Sequence, residues 1–160
     1  MASILKLSFG GKAPAAHHRL GKTFLFSGLT RRQLKIVDAL LHDRHYLAGE
    51  VVFDLGEEGQ ALYILLSGRM AVLHPAQGEL PLAELGSGDF FGEMALLDEL
   101  PRSAQVRALE DSHVAVLFRG DFEKLMESHA ELASRIAMQL ARYLGNRLRQ
   151  MLLQRPASGA

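Results

Sequence analysis

The 160-residue chain contains no cysteine. That excludes a disulfide scaffold, a cysteine-ligated zinc or iron–sulfur centre and a cysteine nucleophile. Long hydrophobic runs are also missing. The longest is Ala61 to Leu66, far short of the ~20 apolar residues that cross a bilayer. Near the start, Lys6 and Ser8 interrupt Ile4, Leu5 and Leu7, so no signal-peptide core forms. There is no Gly-x-Ser-x-Gly elbow, which leaves a serine hydrolase without support. Net charge is absent too, with 18 basic residues balancing 18 acidic ones. What remains is 48% hydrophobic and 22% charged residues, the composition of a soluble globular domain able to bury its own core. The absence of cysteine fits a reducing compartment, and a cytoplasmic protein without membrane contact is expected.

The zero sum hides an asymmetry. Residues 1–22 carry Lys6, Lys12, Arg19 and Lys22 and no acid, and residues 135–155 carry Arg135, Arg142, Arg147, Arg149 and Arg155 and no acid. Two basic ends flank an acidic body. A solvated tail and a helix whose cations suit its C-terminal dipole account for this pattern. Contact with nucleic acid or an anionic surface is the sharper alternative, but five arginines spread over 21 residues make a diffuse signal.

Residues 1–22, with Gly10, Gly11, Pro14 and Gly21, read as a flexible arm. His17 and His18 are adjacent and have no acidic neighbour, so no metal is expected there. From Thr30, a candidate cap, Leu34, Val37, Leu40 and Leu41 recur at helical spacing. This helix is expected to end near His42 to His45, whose cationic forms suit a helix C-terminus. From Ala48 to Phe118 short apolar runs alternate with Gly56–Gly59, Ser67-Gly68, Pro75–Gly78 and Gly86-Ser87-Gly88. Short strands at this spacing predict an antiparallel sandwich or roll. Leu80 to Leu85 is one of the expected strands. After it, Asp121 is expected to cap a short helix to Ser128. A long amphipathic helix follows over 129–154, its stripe being Leu132, Ile136, Leu140, Leu144 and Leu148, extended by Met151 and Leu152. Gly145 interrupts it at a cost of about 1 kcal/mol, and Arg155-Pro156 ends it.

One stretch breaks the strand rhythm. Gly86-Ser87-Gly88-Asp89-Phe90-Phe91 leads into Gly92-Glu93-Met94-Ala95-Leu96-Leu97-Asp98-Glu99, which predicts a helix of about two turns that Pro101 stops. Its start exposes unpaired N–H groups and a partial positive charge, which attract phosphate. Arg102 can donate two parallel hydrogen bonds to phosphate oxygens, and Ser103 adds a hydroxyl. Glu93 is an acceptor suited to sugar hydroxyls. Phosphate donors beside a hydroxyl acceptor point to a ribose-phosphate ligand. The competing reading is a surface turn whose Arg102 pairs with Asp98 or Glu99. The glycines here do not form a dinucleotide fingerprint, because the third is displaced to Gly92.

Phe91-Gly92-Glu93-Met94-Ala95-Leu96 followed by Pro101-Arg102-Ser103-Ala104 resembles the phosphate-binding cassette of the cyclic-nucleotide-binding domain family. Bacterial catabolite activator proteins, protein kinase A and G regulatory domains and cyclic-nucleotide-gated channels belong to that family. Ala48-Gly49-Glu50 within Tyr46–Phe53, and Leu62-Tyr63-Ile64-Leu65-Leu66-Ser67-Gly68, resemble further family segments. The likeness spans Phe24 to Leu153. It implies an antiparallel β-roll, a double-stranded jelly roll, with an N-terminal helix, a short phosphate-binding helix and a long C-terminal helix. The domain would occupy 23–155, between the arm at 1–22 and a tail at 156–160.

The resemblance further implies roles. Gly92, Glu93, Met94, Ala95, Arg102, Ser103 and Ala104 would form the ligand site. Arg102 would bind the exocyclic phosphate oxygen, with the Ala95 and Ala104 N–H groups and Ser103 as further donors. Glu93 and the Gly92 backbone would hold the ribose 2′-hydroxyl. Val72, Leu82, Ala83 and Leu85 would line the base pocket, and Arg147 and Leu148 would cover the base. Leu148 as plain helix core remains open beside that. Arg107 would be an internal ion-pair arginine. Glu57 and Glu58 read as a solvated loop, with a metal site as the weaker alternative.

The implied ligand is cAMP, ahead of cGMP, with no metal and no catalysis. The chain stops soon after the long helix, so no helix-turn-helix DNA-binding domain is expected in it; it reads as a lone sensory domain or as the sensory fragment of a larger protein, with Met1 favouring a complete small protein. Expected partners are the cyclic nucleotide, a second copy paired through the C-terminal helix, and an unidentified downstream protein. A protein-interaction scaffold with a repurposed or empty pocket is the alternative function.

Overall fold

The structure is a computed structural model that describes residues 16–154. Its centre is built from two runs that the sequence leaves almost without polar residues, β3 (Ala61–Ser67) and β8 (Ser112–Phe118). They pair antiparallel, Ala61 opposite Phe118 and Leu65 opposite Val114. Both strands are apolar on both faces because both faces are covered. Leu62, Ile64, Ala115 and Leu117 pack with the helices, while Ala61, Leu65, Val114 and Val116 pack between the sheets. Alternation is therefore absent where a half-exposed strand would show it.

Around this pair, β1 (His42–Tyr46) and β6 (Phe90–Phe91) complete one sheet in the order β1-β8-β3-β6. The second sheet is β2-β7-β4-β5, built from β2 (Val51–Phe53), β4 (Met70–Leu73), β5 (Ala83–Leu85) and β7 (Gln105–Ala108). Every strand pairing is antiparallel. The helices are α1 (Ala16–Leu20), α2 (Arg31–Asp38), α3 (Arg119–Ser128) and α4 (Ala130–Leu153). Two sheets with helices on one side match the expected β-roll, and α4 falls within one residue of its expected bounds. None of the described helices is long and apolar enough to cross a membrane.

Several boundaries differ from expectation. Thr30 does cap α2, in a capping box with Gln33, but the helix ends at Asp38. His42 and His45 lie on β1 instead of a helix end, because residues 42–46 take the free edge of β8. The arm expected through Lys22 is helical at Ala16–Leu20. Leu20 is fully buried there, and Arg19 bridges Asp38 at 2.9 Å and Asp43 at 2.7 Å. Residues 1–15 and the expected terminator Arg155-Pro156 lie outside the described residues. Phe118, not Asp121, is the N-cap of α3. Asp121 sits in the first turn and receives Lys124 and His42. Of Leu80 to Leu85 only β5 is strand, and Leu80 and Leu82 are exposed. Arg107 is exposed and joins no ion pair, since its position on β7 faces outward between the buried Val106 and Ala108. No group of three or more metal-ligating side chains occurs among the described residues.

The β1–β8 edge carries a titratable cluster. The His113 ring stacks on His45 at 4.2 Å and lies 3.3 Å from Asp43, which Arg19 also holds. Burial, then the neighbouring His45, pulls the His113 pKa below 6.5, against the opposite pull of Asp43. A histidine whose folded pKa is depressed contributes stability above its unfolded pKa and loses it as the pH falls. Thermal unfolding should therefore occur at lower temperature at pH 5.5 than at pH 7.5, and His113→Phe should flatten that dependence. Equal slopes in the two proteins would remove His113 from the cause.

Candidate functional site

The turn from β6 into the following segment needs a residue with positive φ, and Gly92 supplies it at +72°. A short 3-10 helix, Glu93–Leu96, follows in place of the two α-turns expected. The Arg119 guanidinium stops it by donating to the carbonyls of Ala95 and Asp98. The loop 56–59 runs alongside. There the Arg102 N–H donates to the Glu57 carbonyl at 2.7 Å and the Gly56 N–H to the Arg102 carbonyl at 2.8 Å. These bonds fix the backbone of Arg102 against the 56–59 loop.

Arg102 is 8% exposed. Its Nη1 donates to the Gly92 carbonyl at 3.1 Å and its Nη2 to the Ala61 carbonyl at 3.0 Å. The guanidinium lies over the Phe53 ring, 4.0 Å from its centre, with Tyr63 at 5.8 Å. No ion pair of the described residues includes Arg102, and its Nε has no hydrogen-bond partner. Burial pulls its pKa down, while Tyr63 and, more weakly, Glu93 and Glu57 pull it up. The cation is therefore buried, neutralised by no adjacent carboxylate, and still has uncommitted N–H groups. Such a charge is costly until an anion joins it. The surface-turn reading, in which Arg102 pairs with Asp98 or Glu99, is not what the chain adopts.

Glu93 is equally buried, at 6% exposure. Its Oε1 accepts from Nη1 of Arg147 on α4 at 3.2 Å. Arg147 also stands 5.6 Å from the Tyr143 ring, which packs on Phe90 at 4.5 Å. A carboxylate, a guanidinium and a helix-borne arginine thus surround Gly92.

The remaining expected site residues are placed as follows. Ala95 is buried, Met94 and Ser103 are exposed, and Ala104 is half-buried. The Ala95 N–H meets the Gly92 carbonyl at 3.2 Å, a long bond that leaves it weakly committed. On the second sheet, Val72 pairs with Ala83 and Met70 with Leu85, so Val72, Ala83 and Leu85 share the face turned to the first sheet. Ala83 is nonetheless exposed, which marks an opening in that face. Leu82 lies at its rim with 52% exposure. Leu148 is 57% exposed, so it is not helix core. Glu57 and Glu58 are exposed loop residues.

Phe53, Tyr63, Gly59 and Tyr143 were not singled out from sequence. Gly59 carried a partial signal, being in a glycine loop. A Cβ there would approach Nε of Arg102 to 2.9 Å, so the loop is small where the guanidinium passes. Phe53 and Tyr63 look like ordinary strand aromatics, and only the packing of the sheets puts Arg102 on them.

Known proteins resemble this chain in sequence and fold. A family model described as Cyclic nucleotide-binding domain matches residues 43–129. The Cyclic AMP receptor protein of Thermus thermophilus is 39% identical over 122 residues, covering 75% of this chain and 56% of that protein. The cAMP-dependent protein kinase regulatory subunit of Hypocrea atroviridis is 33% identical over 135 residues, covering 81% of this chain and 28% of the subunit. Among solved structures, the Thermus thermophilus Catabolite Activator Protein matches with a TM-score of 0.74 at 37% identity, covering 82% of this chain and 61% of that one. The chain thus spans little more than half of the receptor and under a third of the kinase subunit.

Two glycines here should respond oppositely to the same change. At Gly92 a Cβ would meet Nη1 of Arg102 at 2.8 Å in a backbone already at positive φ. Gly92→Ala should cost about 1–3 kcal/mol in urea unfolding. At Gly145, inside α4, a Cβ would meet nothing within 4 Å. Gly145→Ala should stabilise by about 0.5–1 kcal/mol. Equal effects at both sites would contradict the close approach at Gly92.

Proposed function

The chain belongs to the cyclic nucleotide-binding domain family, and from that premise we propose that it is a non-enzymatic cytoplasmic sensor of cAMP, ahead of cGMP, that relays binding through α4. One observation carries this reading: a buried Arg102 guanidinium that no carboxylate neutralises. A cyclic phosphodiester bears the single negative charge that it lacks. Arg102 binds the exocyclic phosphate oxygen, and Ser103 and the N–H groups of Ala95 and Ala104 add donors. Ala95 exchanges its long bond to Gly92 for one to the phosphate. Met94 lies on the exposed side of the same turn. Glu93 and the Gly92 backbone take the ribose 2′-hydroxyl. The base lies between Val72, Leu82, Ala83 and Leu85 on one side and Arg147 and Leu148 on the other, where Arg147 stacks on the purine. The relatives named for cyclic AMP favour adenine over guanine. No metal and no catalytic step enter this reading.

The relay follows from Glu93. The ribose hydroxyl and Arg147 address the same buried carboxylate, so a nucleotide acts on α4 through a group the helix already holds. The result is a shift in the population of α4 positions. Leu148, Met151 and Leu152 are exposed at the end of α4. A second copy covers this stripe, with a further downstream protein reading the outcome. A scaffold with a repurposed pocket fits less well, because it leaves the cost of burying Arg102 and Glu93 unexplained.

Titration calorimetry with cAMP and cGMP should show binding, tighter for cAMP. Arg102→Ala should lose several kcal/mol of it, as when one partner of a buried charged pair is removed. Unchanged affinity in that variant would refute the phosphate assignment. Light scattering that shows a monomer with and without cAMP would refute pairing through α4.

A further inference from the structure

Phe53 lies against Arg102 because β2 is not a regular strand. Val51 stands opposite Arg107, but Phe53 stands opposite Val106, so the pairing register shifts by one residue between them. On a regular strand, side chains two apart point to the same face, and residues directly opposite in an antiparallel pair share a face. Val51 and Arg107 are accordingly both exposed. A regular β2 would send Phe53 to that outer face too. The shift turns its ring inward beside Val106, where Phe53 is 8% exposed and joins the cluster between the sheets. Irregularities of this kind re-aim a side chain at the expense of the strand ladder.

What the ring reaches is the guanidinium. Cζ of Arg102 lies 4.0 Å from the ring centre, and Tyr63 and Phe91 brace the ring at centre-to-centre distances of 5.7 and 5.9 Å. The two chain segments involved are locked together. The Gln105 side-chain amide donates to the Asp54 carboxylate, the Gly56 N–H to the Arg102 carbonyl and the Arg102 N–H to the Glu57 carbonyl. The face of an aromatic ring attracts a cation without using any of its N–H groups. A carboxylate would occupy two of them. Glu93 and Glu57 are both near enough to act on the Arg102 charge, yet among the described residues Arg102 joins no ion pair.

We propose that Phe53, turned inward by the register shift in β2, is a positioning residue of this site, whose ring seats the Arg102 guanidinium so that it stays unpaired beside the Gly92 turn and ready for a phosphodiester. The inference rests on the cyclic-nucleotide reading above. Without the ring, the guanidinium turns to Glu57 or Glu93, and a nucleotide must first break that pair. The ring therefore acts before the ligand arrives, by preorganisation. Filling core volume is the competing role for Phe53, and it makes a different demand. Packing needs the shape of the ring, whereas the seat needs the negative charge of its face.

Fluorination separates the two roles, because it withdraws charge from the ring face and changes the shape little. Full chains carrying one, three and then five fluorine atoms on the Phe53 ring are titrated with cAMP by calorimetry. Affinity should fall stepwise, by about tenfold at full fluorination, and Phe53→Leu should lose at least as much. The same fluorinations at Phe122, buried in α3, should leave affinity unchanged. Thermal unfolding checks that each chain is folded. A second readout needs no nucleotide: the Nε–H resonance of Arg102 should move when Phe53→Leu removes the ring current. Equal affinity across the fluorinated series, equal losses at Phe53 and Phe122, or an Arg102 resonance that stays in place would overturn the seat and leave the nucleotide reading standing. An unsubstituted chain that binds neither cAMP nor cGMP would overturn both.

Discussion

Burying a guanidinium without a carboxylate beside it is the constraint on which this structure turns. Isolated charges are strongly disfavoured in a protein interior. Arg102 is tolerated because three elements converge on it. The Ala61 and Gly92 carbonyls satisfy two of its nitrogens, the Phe53 ring lies beneath its plane, and Gly59 leaves space beside Nε. None of these is a full counter-charge. The cost is offset by the stability of the surrounding roll, and on the proposed function an anion joining the guanidinium would recover part of it.

The roll can bear that cost because of its central pair of strands. β3 contributes the Ala61 carbonyl to Arg102 and, through Tyr63, a ring stacked on Phe91 at 5.1 Å. The same strand presents Leu62 and Ile64 to the helices. One strand thus ties the guanidinium to both hydrophobic clusters. β6 does the same in two residues, with Phe91 between the sheets and Phe90 against Tyr143 of α4. Movement of α4 and a change at Gly92 are therefore mechanically close, since Phe90 and Glu93 flank the same turn and both touch α4.

What the sequence reveals about this molecule depends on how local each signal is. The cassette is legible because its requirements are written in consecutive residues: a glycine for positive φ, a carboxylate after it, an arginine ten positions on. The strand content of the roll is legible from runs and turns. The failures are non-local. Residues 42–46 carry charges and histidines that read as a helix end, and only the free edge of β8 makes them a strand. Arg107 sits in a strand pattern but faces solvent, so its expected ion pair does not form. Phe53 and Tyr63 are indistinguishable from core aromatics until the sheets are assembled around Arg102. Gly145 carried a recognisable cost with no visible purpose, and the structure adds that the chain's own packing supplies none.

α4 brings these threads together. Its first half is anchored by Leu132, Ala133, Ile136 and Leu140 in the core. Beyond Leu144 the helix leaves the body, and Arg147 is the last side chain there to reach back to it, through Glu93. A helix anchored at one end and held by one ion pair at the other responds to any group that competes for that pair. On the function proposed above, a ligand that offers a hydroxyl to Glu93 and a base to Arg147 would alter both ends of the contact at once. The apolar stripe at the helix end sits on that same rigid rod. On that reading, a displacement too small to disturb the core would be carried to a surface that the core does not use.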